Sequence, residues 1–320
     1  MPPFPEPSFD YTYDPAAEIA ALRDWRKNKP GRQIPARRPN RLLVATWNVA
    51  NLGLQKRTDA DHALIAEILR WFDLVAVQET NDNLTGLRGV LSKLPKKYRT
   101  VFSDAAGNNE RMVFVYDATK LSVGDEIGEV APAPADYRHI RLPGIDQKFN
   151  GFDRNPYVAT FTAGSFTVSL VNVHLYFGSD STRSKNRRRL ETYAVARWAD
   201  LRRRSPHAVT TDVVALGDFN LPKAVPGDPV FEALTSRGLH LPPHSTQIAS
   251  SIATESHYDQ VAFFPGETGQ EFVTSGVFDF DGAVFADLWQ DPSRSRADFE
   301  AYVRYHLSDH RPLWAQFRTS

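Results

Sequence analysis

The sequence predicts an α/β domain from about residue 41 to residue 320, preceded by a proline-rich extension over residues 1–40. Apolar runs rich in Val, Phe and Tyr recur through the larger region. Several carry apolar residues on both faces of the pleat, as in strands that are covered on both sides. Segments with apolar residues at helical spacing separate some of these runs. Because the sequence has no internal repeat and no low-complexity break, one domain of interleaved strands and helices is the simplest interpretation.

Eight apolar runs carry the strand prediction. They are LLVATWNV (42–49), LVAVQ (74–78), MVFVY (112–116), YVATF (157–161), FTVSLVNVHL (166–175), VVALGDF (213–219), QVAFF (260–264) and PLWAQF (312–317). Their β-branched and aromatic residues are typical of strands.

The extension contains eight of the 22 prolines and one short helical segment, predicted from Pro15 to Lys29. Pro30 and Gly31 would end this helix, because proline cannot continue one. The extension could wrap the main domain or stay loose, and no residue in it suggests chemistry.

Three further helices are predicted from apolar stripes. The stripes are Leu64, Ile68 and Phe72; Leu84, Leu87, Leu91 and Leu94; and Leu190, Ala194, Trp198 and Leu201. Thr58 and Asp61 resemble a capping box at the start of the first helix. The third stripe lies in a segment, residues 182–204, with nine basic and two acidic residues. This segment could lie along a phosphate backbone, but a solvated helix face is favoured because no aromatic residues interleave with the charges.

Composition excludes several classes of protein. The 38 Lys and Arg residues balance the 38 Asp and Glu residues, so no global field attracts nucleic acid or a membrane surface. The absence of cysteine excludes disulfides, cysteine-type zinc sites and thiol catalysis. Without an apolar run long enough for a membrane helix or a signal-peptide pattern, we expect a soluble, cytoplasmic monomer with no membrane insertion.

Polar residues follow the apolar runs at the points where the strands end. They are Trp47-Asn48, Gln78-Glu79, Asn172 to His174, Gly217 to Asn220, Tyr258-Asp259 and Ser308 to His310. Carboxylates, amides and imidazoles at one rim of a sheet suit hydrolysis at a hard cation, since Mg²⁺ prefers oxygen ligands. Cleavage of a phosphate ester needs neutralisation of the phosphoryl charge, an activated water and a proton for the leaving oxygen.

These motifs resemble the endonuclease/exonuclease/phosphatase superfamily, and within it most closely deoxyribonuclease I. The resemblance rests on WNVANLG…DLVAVQET, NNERMVFVYDATKLSV, DRNPYVATF, VNVHL, LGDFN, HYDQV and LSDHRP, which occur in the family's order over nearly all of residues 41–320. It implies a four-layer α/β sandwich, in which helices flank two packed mixed sheets. It also implies a divalent-metal-dependent phosphodiester hydrolase, with DNA as its expected substrate.

The resemblance implies a metal site at three positions. Glu79 would be the principal ligand, Asn48 would hold metal or phosphate beside it, and Asp309 would be a further ligand. Mg²⁺ is the expected cation, with Mn²⁺ and Ca²⁺ as alternatives because all three accept oxygen ligands.

The resemblance also assigns the acid and the base. His310 would take a proton from the attacking water and would be oriented by Asp259. His174 would protonate the leaving oxygen, with Glu110 as its partner. Two imidazoles held by carboxylates can divide these duties near neutral pH.

Three more residues are implied at the phosphate. Asp218 and Asn220 would contact the scissile phosphate and the water, and Arg154 would stabilise phosphate charge as a bidentate donor. Deoxyribonuclease I reads the minor groove with an Arg and a Tyr, where this chain has Asn81 and Asn108. We therefore expect Asn81 and Asn108 to be dispensable.

Other interpretations remain open. Each polar residue taken singly could be a helix cap, a turn residue or a hydrogen-bonded core residue. The scaffold could also serve a phosphatase or a phospholipid-type phosphodiesterase acting on phosphoinositides or sphingomyelin, or a binding module without catalysis. The two His–carboxylate pairs and the NNER…DRNP segments favour a nuclease, and the intact acid, base and metal positions argue against a binding module.

Overall fold

The structure, a computed structural model, describes residues 3–243 and 247–320. Its strands are β1 Arg41–Leu52, β2 Leu74–Asn81, β3 Tyr98–Phe102, β4 Glu110–Asp117, β5 Ser122–Glu129, β6 Tyr157–Ala163, β7 Phe166–His174, β8 Val213–Asp218, β9 Asp259–Phe263, β10 Phe272–Val277 and β11 Leu313–Arg318. Its α-helices are α1 Pro15–Asn28, α2 Asp59–Leu69, α3 Thr85–Lys93, α4 Thr182–Arg203, α5 Pro229–Thr235, α6 Ala286–Gln290 and α7 Arg296–His306. Short 3₁₀ helices span Pro134–His139, Thr268–Gln270 and Phe280–Gly282.

The strands form two mixed sheets. One sheet has six strands in the order β10-β11-β1-β2-β4-β3, and the other has five in the order β5-β6-β7-β8-β9. Each sheet contains one parallel pair, β1 with β2 and β7 with β8, and its other pairs are antiparallel. The parallel pairs matter for function because the carboxyl ends of their strands meet at a shared rim.

Apolar side chains fill three layers. The layer between the sheets includes Val44, Phe114, Phe161 and Leu216. A second cluster joins the outer face of the six-stranded sheet to α1, α2, α3 and α7, and a third joins the five-stranded sheet to α4 and α5. The molecule is therefore a four-layer α/β sandwich, which confirms the predicted fold class.

The local predictions are largely confirmed. All eight predicted runs coincide with strands, the extension forms α1, and Thr58 and Asp61 make a reciprocal capping box at the start of α2. The prediction is wrong for one residue of the α4 stripe: the side chain of Leu201 is 46% exposed, whereas the adjacent Ala199 and Asp200 are buried. Among the described residues, no helix is both long and apolar enough to cross a bilayer.

Residues of the extension pack against the sandwich. Leu22 and Ile34 are buried in the outer cluster of the six-stranded sheet. Arg37 binds the buried carboxylates of Asp73 and Asp117, and it lies 2.5 Å from the former. The extension thus contributes apolar surface and counter-charge to this face.

Gly217 allows β7 and β8 to approach closely beside the functional rim. It adopts a φ of +137°, and a Cβ at this position would lie 2.1 Å from the carbonyl oxygen of Val173. Only glycine fits both the backbone conformation and the space. This contact sets the spacing of the strand ends that carry His174 and Asp218.

Candidate active site

The rim where the parallel strands end brings the two sheets together. Asn48 and Glu79 lie at the end of the β1–β2 pair, and His174 and Asp218 are opposite each other at the end of β7 and β8. Asn48 Nδ2 donates to Glu79 Oε1 at 3.0 Å and to Asp218 Oδ2 at 3.1 Å. One amide therefore links carboxylates from both sheets, and all four side chains are buried.

Glu79 is held by an irregularity in β2. Its φ of +58° lies in the left-handed region, and the register of β2 shifts between Val77 and Thr80. A residue other than glycine is strained in this region. A β-bulge of this kind changes the direction in which side chains point. Glu79 Oε2 accepts a hydrogen bond from the backbone N–H of Asn51 at 2.9 Å.

Asn48 presents an unpaired oxygen to this cluster. Because its Nδ2 donates to both carboxylates, its Oδ1 is left buried, with no hydrogen-bond partner in the described part of the chain. A buried acceptor without a donor is costly unless a cation or another group satisfies it. The carboxylates of Glu79 and Asp218 with the Asn48 oxygen form an oxygen donor set of the kind that Mg²⁺ prefers.

His310 and Asp259 form the first imidazole–carboxylate pair. His310 Nδ1 lies 2.7 Å from Asp259 Oδ2, and both side chains are buried. Burial alone would lower the pKa of His310, but the Asp259 carboxylate raises this pKa well above its usual range. Tyr258 covers the imidazole, with ring centroids 5.7 Å apart.

His174 and Glu110 form the second pair. His174 Nδ1 lies 3.0 Å from Glu110 Oε2, while its Nε2 lies 3.8 Å from Asp218 Oδ2 and 3.9 Å from Glu79 Oε1. Burial alone would raise the pKa of Glu110, but hydrogen bonding to His174 and the charge of Arg154 hold this pKa well below its usual range. The free nitrogen of His174 therefore faces the carboxylate cluster.

Asp218 and Asn220 lie on the turn after β8. Asp218 Oδ1 accepts a hydrogen bond from the Asn220 N–H at 2.8 Å, and Asn220 Nδ2 donates to the Leu175 carbonyl at 2.7 Å. Asn220 has a φ of +51°, a second strained non-glycine position in the site. Both side chains are buried, and their contact with the phosphate stays a prediction.

Asp218, Asp259 and His310 also form a compact group of possible ligands. One atom from each lies within 4.8 Å of the others. The 2.7 Å contact between His310 and Asp259 is a hydrogen-bond distance that a shared proton explains. We therefore interpret this group as an acid–base pair with a neighbouring carboxylate, and the donor set at Glu79 and Asn48 as the better cation site.

Arg154 differs from its predicted environment. Its Nε donates to the His174 carbonyl at 2.9 Å and its Nη2 to the Leu175 carbonyl at 3.3 Å. Its Nη1 lies 3.6 Å from Glu110 Oε2 and 3.3 Å from Asp153 Oδ2. Each guanidinium nitrogen is thus directed at the protein, so the contacts favour a residue that positions His174 and Glu110 over a bidentate phosphate ligand.

Three of the residues named from the sequence lie at the edge of the site: Asp309, Asn81 and Asn108. Asp309 is half-buried, and its side chain makes no hydrogen bond or ion pair among the described residues, although its charge contributes to the raised pKa of His310. The Asn81 side chain accepts a hydrogen bond from the Asn83 N–H at 3.3 Å. Asn108 is exposed on the loop before β4.

The structure adds two positioning residues to which the sequence alone assigned no role. Ser308 Oγ donates to the Asn48 carbonyl at 2.6 Å and accepts from the His310 N–H at 3.0 Å, so it fixes both segments. Its place two residues before His310 was the available signal.

Glu191, on α4, is the second positioning residue. It accepts from the backbone N–H groups of Asp153 at 3.1 Å and Tyr176 at 3.0 Å, so it holds the segments that carry Arg154 and follow His174. Burial raises the pKa of Glu191 to about 7. A lone glutamate in a basic helix gave no sequence signal for this role.

Comparison with known proteins identifies solved structures that share this fold. The sequence matches no protein-family model and no curated protein. An endonuclease/exonuclease/phosphatase family protein from Bacteroides thetaiotaomicron is 18% identical, with a TM-score of 0.53 over 88% of this chain and 95% of that chain. The mannosyl-6-phosphatase of the same organism is 17% identical, with a TM-score of 0.52 over 86% of this chain and 99% of that chain.

A third solved structure is D. rerio TDP2 in complex with a single-strand DNA product. It is 15% identical, with a TM-score of 0.54 over 87% of this chain and 99% of that chain. The chain therefore has the fold of endonuclease/exonuclease/phosphatase proteins, which confirms the fold that the resemblance implied. The closer likeness to deoxyribonuclease I stays a prediction.

Proposed function

We propose that this protein is a divalent-metal-dependent phosphodiester hydrolase that cleaves nucleic acid, with DNA as the expected substrate. One observation carries the proposal: two buried imidazole–carboxylate pairs, His310 with Asp259 and His174 with Glu110, border a cluster of oxygen ligands. A scaffold that only binds a partner has no need for two such pairs at one rim. Hydrolysis of a phosphate ester can use both pairs, one as the base that activates water and the other as the acid that protonates the leaving oxygen.

Glu79 and Asn48 would hold the cation, together with Asp218. Their oxygens match the donors that a hard divalent ion takes, and the unpaired Oδ1 of Asn48 gives such an ion a reason to bind there. When bound, the ion would polarise the phosphoryl oxygens and offset the negative charge that keeps His310 protonated. Asp309 could complete the ligand set through water.

His310 is the proposed base and His174 the proposed acid. Nδ1 of His310 is engaged by Asp259, so its Nε2 would accept a proton from water as the water oxygen bonds to phosphorus. The bond from phosphorus to the leaving oxygen breaks, and Nε2 of His174 supplies the proton that this oxygen needs. Each carboxylate stabilises the charge on its imidazole, and no covalent intermediate forms.

A second candidate function is phosphomonoester hydrolysis on a small molecule. Asn81 and Asn108 stand where deoxyribonuclease I has groove-reading residues, which favours a substrate other than duplex DNA. Fold neighbours also include a mannosyl-6-phosphatase as well as TDP2 with a DNA product, so the fold is compatible with either class of substrate.

Plasmid nicking tests the proposal. We expect purified protein to nick supercoiled plasmid in Mg²⁺, EDTA to abolish nicking, and Glu79→Gln to abolish it in a folded protein. His174→Ala and His310→Ala should each lower the rate by roughly 10²–10⁴-fold. Glu6→Gln, which changes an exposed glutamate of the extension, is the matched control and should retain full activity.

Two outcomes would contradict the nuclease assignment. A folded protein that leaves plasmid and oligonucleotides intact but hydrolyses sugar phosphates or nucleotides in a Glu79-dependent way would support the second candidate. If no phosphoester is hydrolysed and Glu79→Gln leaves oligonucleotide binding unchanged, the binding-module interpretation holds instead.

A further inference from the structure

Three adjoining cavities lie along α4 and the segment that covers it, residues 137–151. The first, of about 340 Å³, is lined by Tyr176, Arg183 and residues 147–151. The middle cavity, of about 520 Å³, shares residues 147–150 with the first. The far cavity, of about 640 Å³, shares Arg141 with the middle one. We call this series of cavities the α4 track.

The α4 track is strongly basic although the whole chain has no net charge. Seven basic side chains and one acidic side chain, Asp146, line it: Arg138, Arg141, Lys148, Arg183, Arg187, Arg197 and Arg237. Arg187 and Arg237 are paired with carboxylates at 3.1 Å and 2.8 Å. Four of the others have no ion pair or side-chain hydrogen bond within the described residues, namely Arg141, Lys148, Arg183 and Arg197.

These four unpaired cations do not stabilise the fold through ion pairs. A helix that was only a solvated surface would pair its charges with neighbours or disperse them, as Arg202 and Arg203 do at the end of α4. Arg183 and Arg197 instead share one face of the helix without a carboxylate partner among the described residues, and they are ~21 Å apart along its axis at 1.5 Å per residue. Repeated positive charge over this length fits a partner with repeated negative charge.

Each cavity of the track also contains a tyrosine. Tyr176 lines the first, Tyr137 the middle and Tyr193 the far cavity, and each tyrosine is partly exposed. Cations interleaved with aromatic rings are the arrangement with which proteins bind unpaired strands, since the charges follow the phosphates and the rings stack on bases. The sequence alone hid this pattern, because two of the three tyrosines come from outside α4.

We propose that the α4 track binds the strand of a single-stranded nucleic acid on the leaving-group side of the scissile phosphate. The track begins beside the site, because Tyr176 lies two residues after His174, the proposed acid. This placement rests on the proposed function. The inference adds to it that the substrate is single-stranded. A duplex keeps its bases stacked inside, so it has no use for the three tyrosines.

The experiment measures binding separately from cleavage. A fluorescein-labelled oligothymidylate of about 15 nucleotides, within the range that such sites span, is titrated by anisotropy in the Glu79→Gln background. We expect Arg141→Ala/Lys148→Ala to weaken binding at least about tenfold, and to lower the slope of log K against log salt by about 1.4, since each phosphate contact contributes ~0.7 on single strands. Both side chains are exposed, so folding should be retained.

A control pair and a small substrate separate the track from general effects. Lys27→Ala/Lys96→Ala removes the same charge from exposed positions elsewhere and should change neither value. In the active protein, turnover of bis(p-nitrophenyl) phosphate should be equal in wild type and Arg141→Ala/Lys148→Ala, because this substrate does not reach the track. Tyr193→Ala should weaken oligonucleotide binding without changing the salt slope.

The outcomes distinguish the two proposals. Unchanged affinity in Arg141→Ala/Lys148→Ala overturns the track even if plasmid nicking succeeds. Equal affinity for a duplex of the same length, or binding to phosphatidylserine vesicles without binding to the oligonucleotide, also overturns it. If neither the plasmid nor the oligothymidylate is cleaved by the active protein but oligonucleotide binding depends on Arg141 and Lys148, the track stands and the proposed hydrolysis of nucleic acid does not.

Discussion

Asn48 donates from Nδ2 to Oε1 of Glu79 at 3.0 Å, and its own Oδ1 is left buried without a partner among the described residues. The hydrogen bond fixes which end of the amide faces Glu79 Oε1 and leaves the amide oxygen available to a cation. This arrangement gives the proposed metal site a test that does not depend on turnover.

Mg²⁺ should raise the stability of the wild-type protein and should not stabilise Glu79→Gln. A ligand that binds only the folded state adds about 2.7 kcal/mol at a concentration 100-fold above its Kd. We expect this shift in thermal or urea unfolding of wild type and of Glu6→Gln, and its loss in Glu79→Gln and Asn48→Ala. An equal shift in all four proteins would place the cation elsewhere.

Arg154→Ala should lower kcat with little change in KM on a small phosphodiester. Arg154 binds the carbonyls of His174 and Leu175 and lies beside Glu110, so its loss displaces the acid rather than the phosphate. A displacement of this kind costs roughly 10²-fold in rate. Removal of one partner of a buried ion pair should also cost about 3–5 kcal/mol of stability. A raised KM at unchanged kcat would instead identify a phosphate contact.

Glu191 should make stability depend on pH in the neutral range. Its pKa of about 7 in the folded state lies above the ordinary value of 4.5, so the folded state holds the proton more tightly. The resulting stability is fully present below the unfolded pKa, is lost as pH rises through about 7, and amounts to on the order of 3 kcal/mol. Urea unfolding of wild type and Glu191→Gln between about pH 5 and pH 8 should show a difference that changes with pH. A constant difference would contradict the raised pKa.

Asn81→Ala and Asn108→Ala should retain nicking activity within about twofold, as is usual for substitutions outside a site. Asn81 makes a local hydrogen bond to the Asn83 N–H, and Asn108 is exposed. The initial rate of plasmid nicking measures the effect. Loss of nicking in either variant would show that these amides contact the groove after all.

The sequence predicts the central strands of both sheets and does not predict three edge strands. β3 and β10 border the six-stranded sheet and β5 borders the other. An edge strand meets the core on one side and solvent on the other, so it can be polar, and every residue of β5 is exposed or half-buried. A pattern search that depends on apolar runs therefore finds the interior of each sheet first.

The candidate site is predictable in its members but not in its contacts. Residues at strand ends, such as Glu79 and His174, could be placed at one rim because the order of the motifs fixes the topology. The orientation of Arg154 could not, since it depends on backbone carbonyls that any sequence has. The α4 track likewise depends on how residues 137–151 fold over the helix.

Gly217 touches no substrate in the proposed mechanism, yet its replacement would affect turnover. A Cβ at this position would lie 2.1 Å from Val173 O, so substitution must push apart the strands that carry the acid and the neighbouring carboxylate. In a saturation library selected for hydrolysis, position 217 should be as intolerant as His174 itself. Such a screen would therefore rank Gly217, which has no side chain, among the catalytic residues. Only expression or folding measured in parallel would separate a residue that acts in catalysis from one that sets the spacing of the strands.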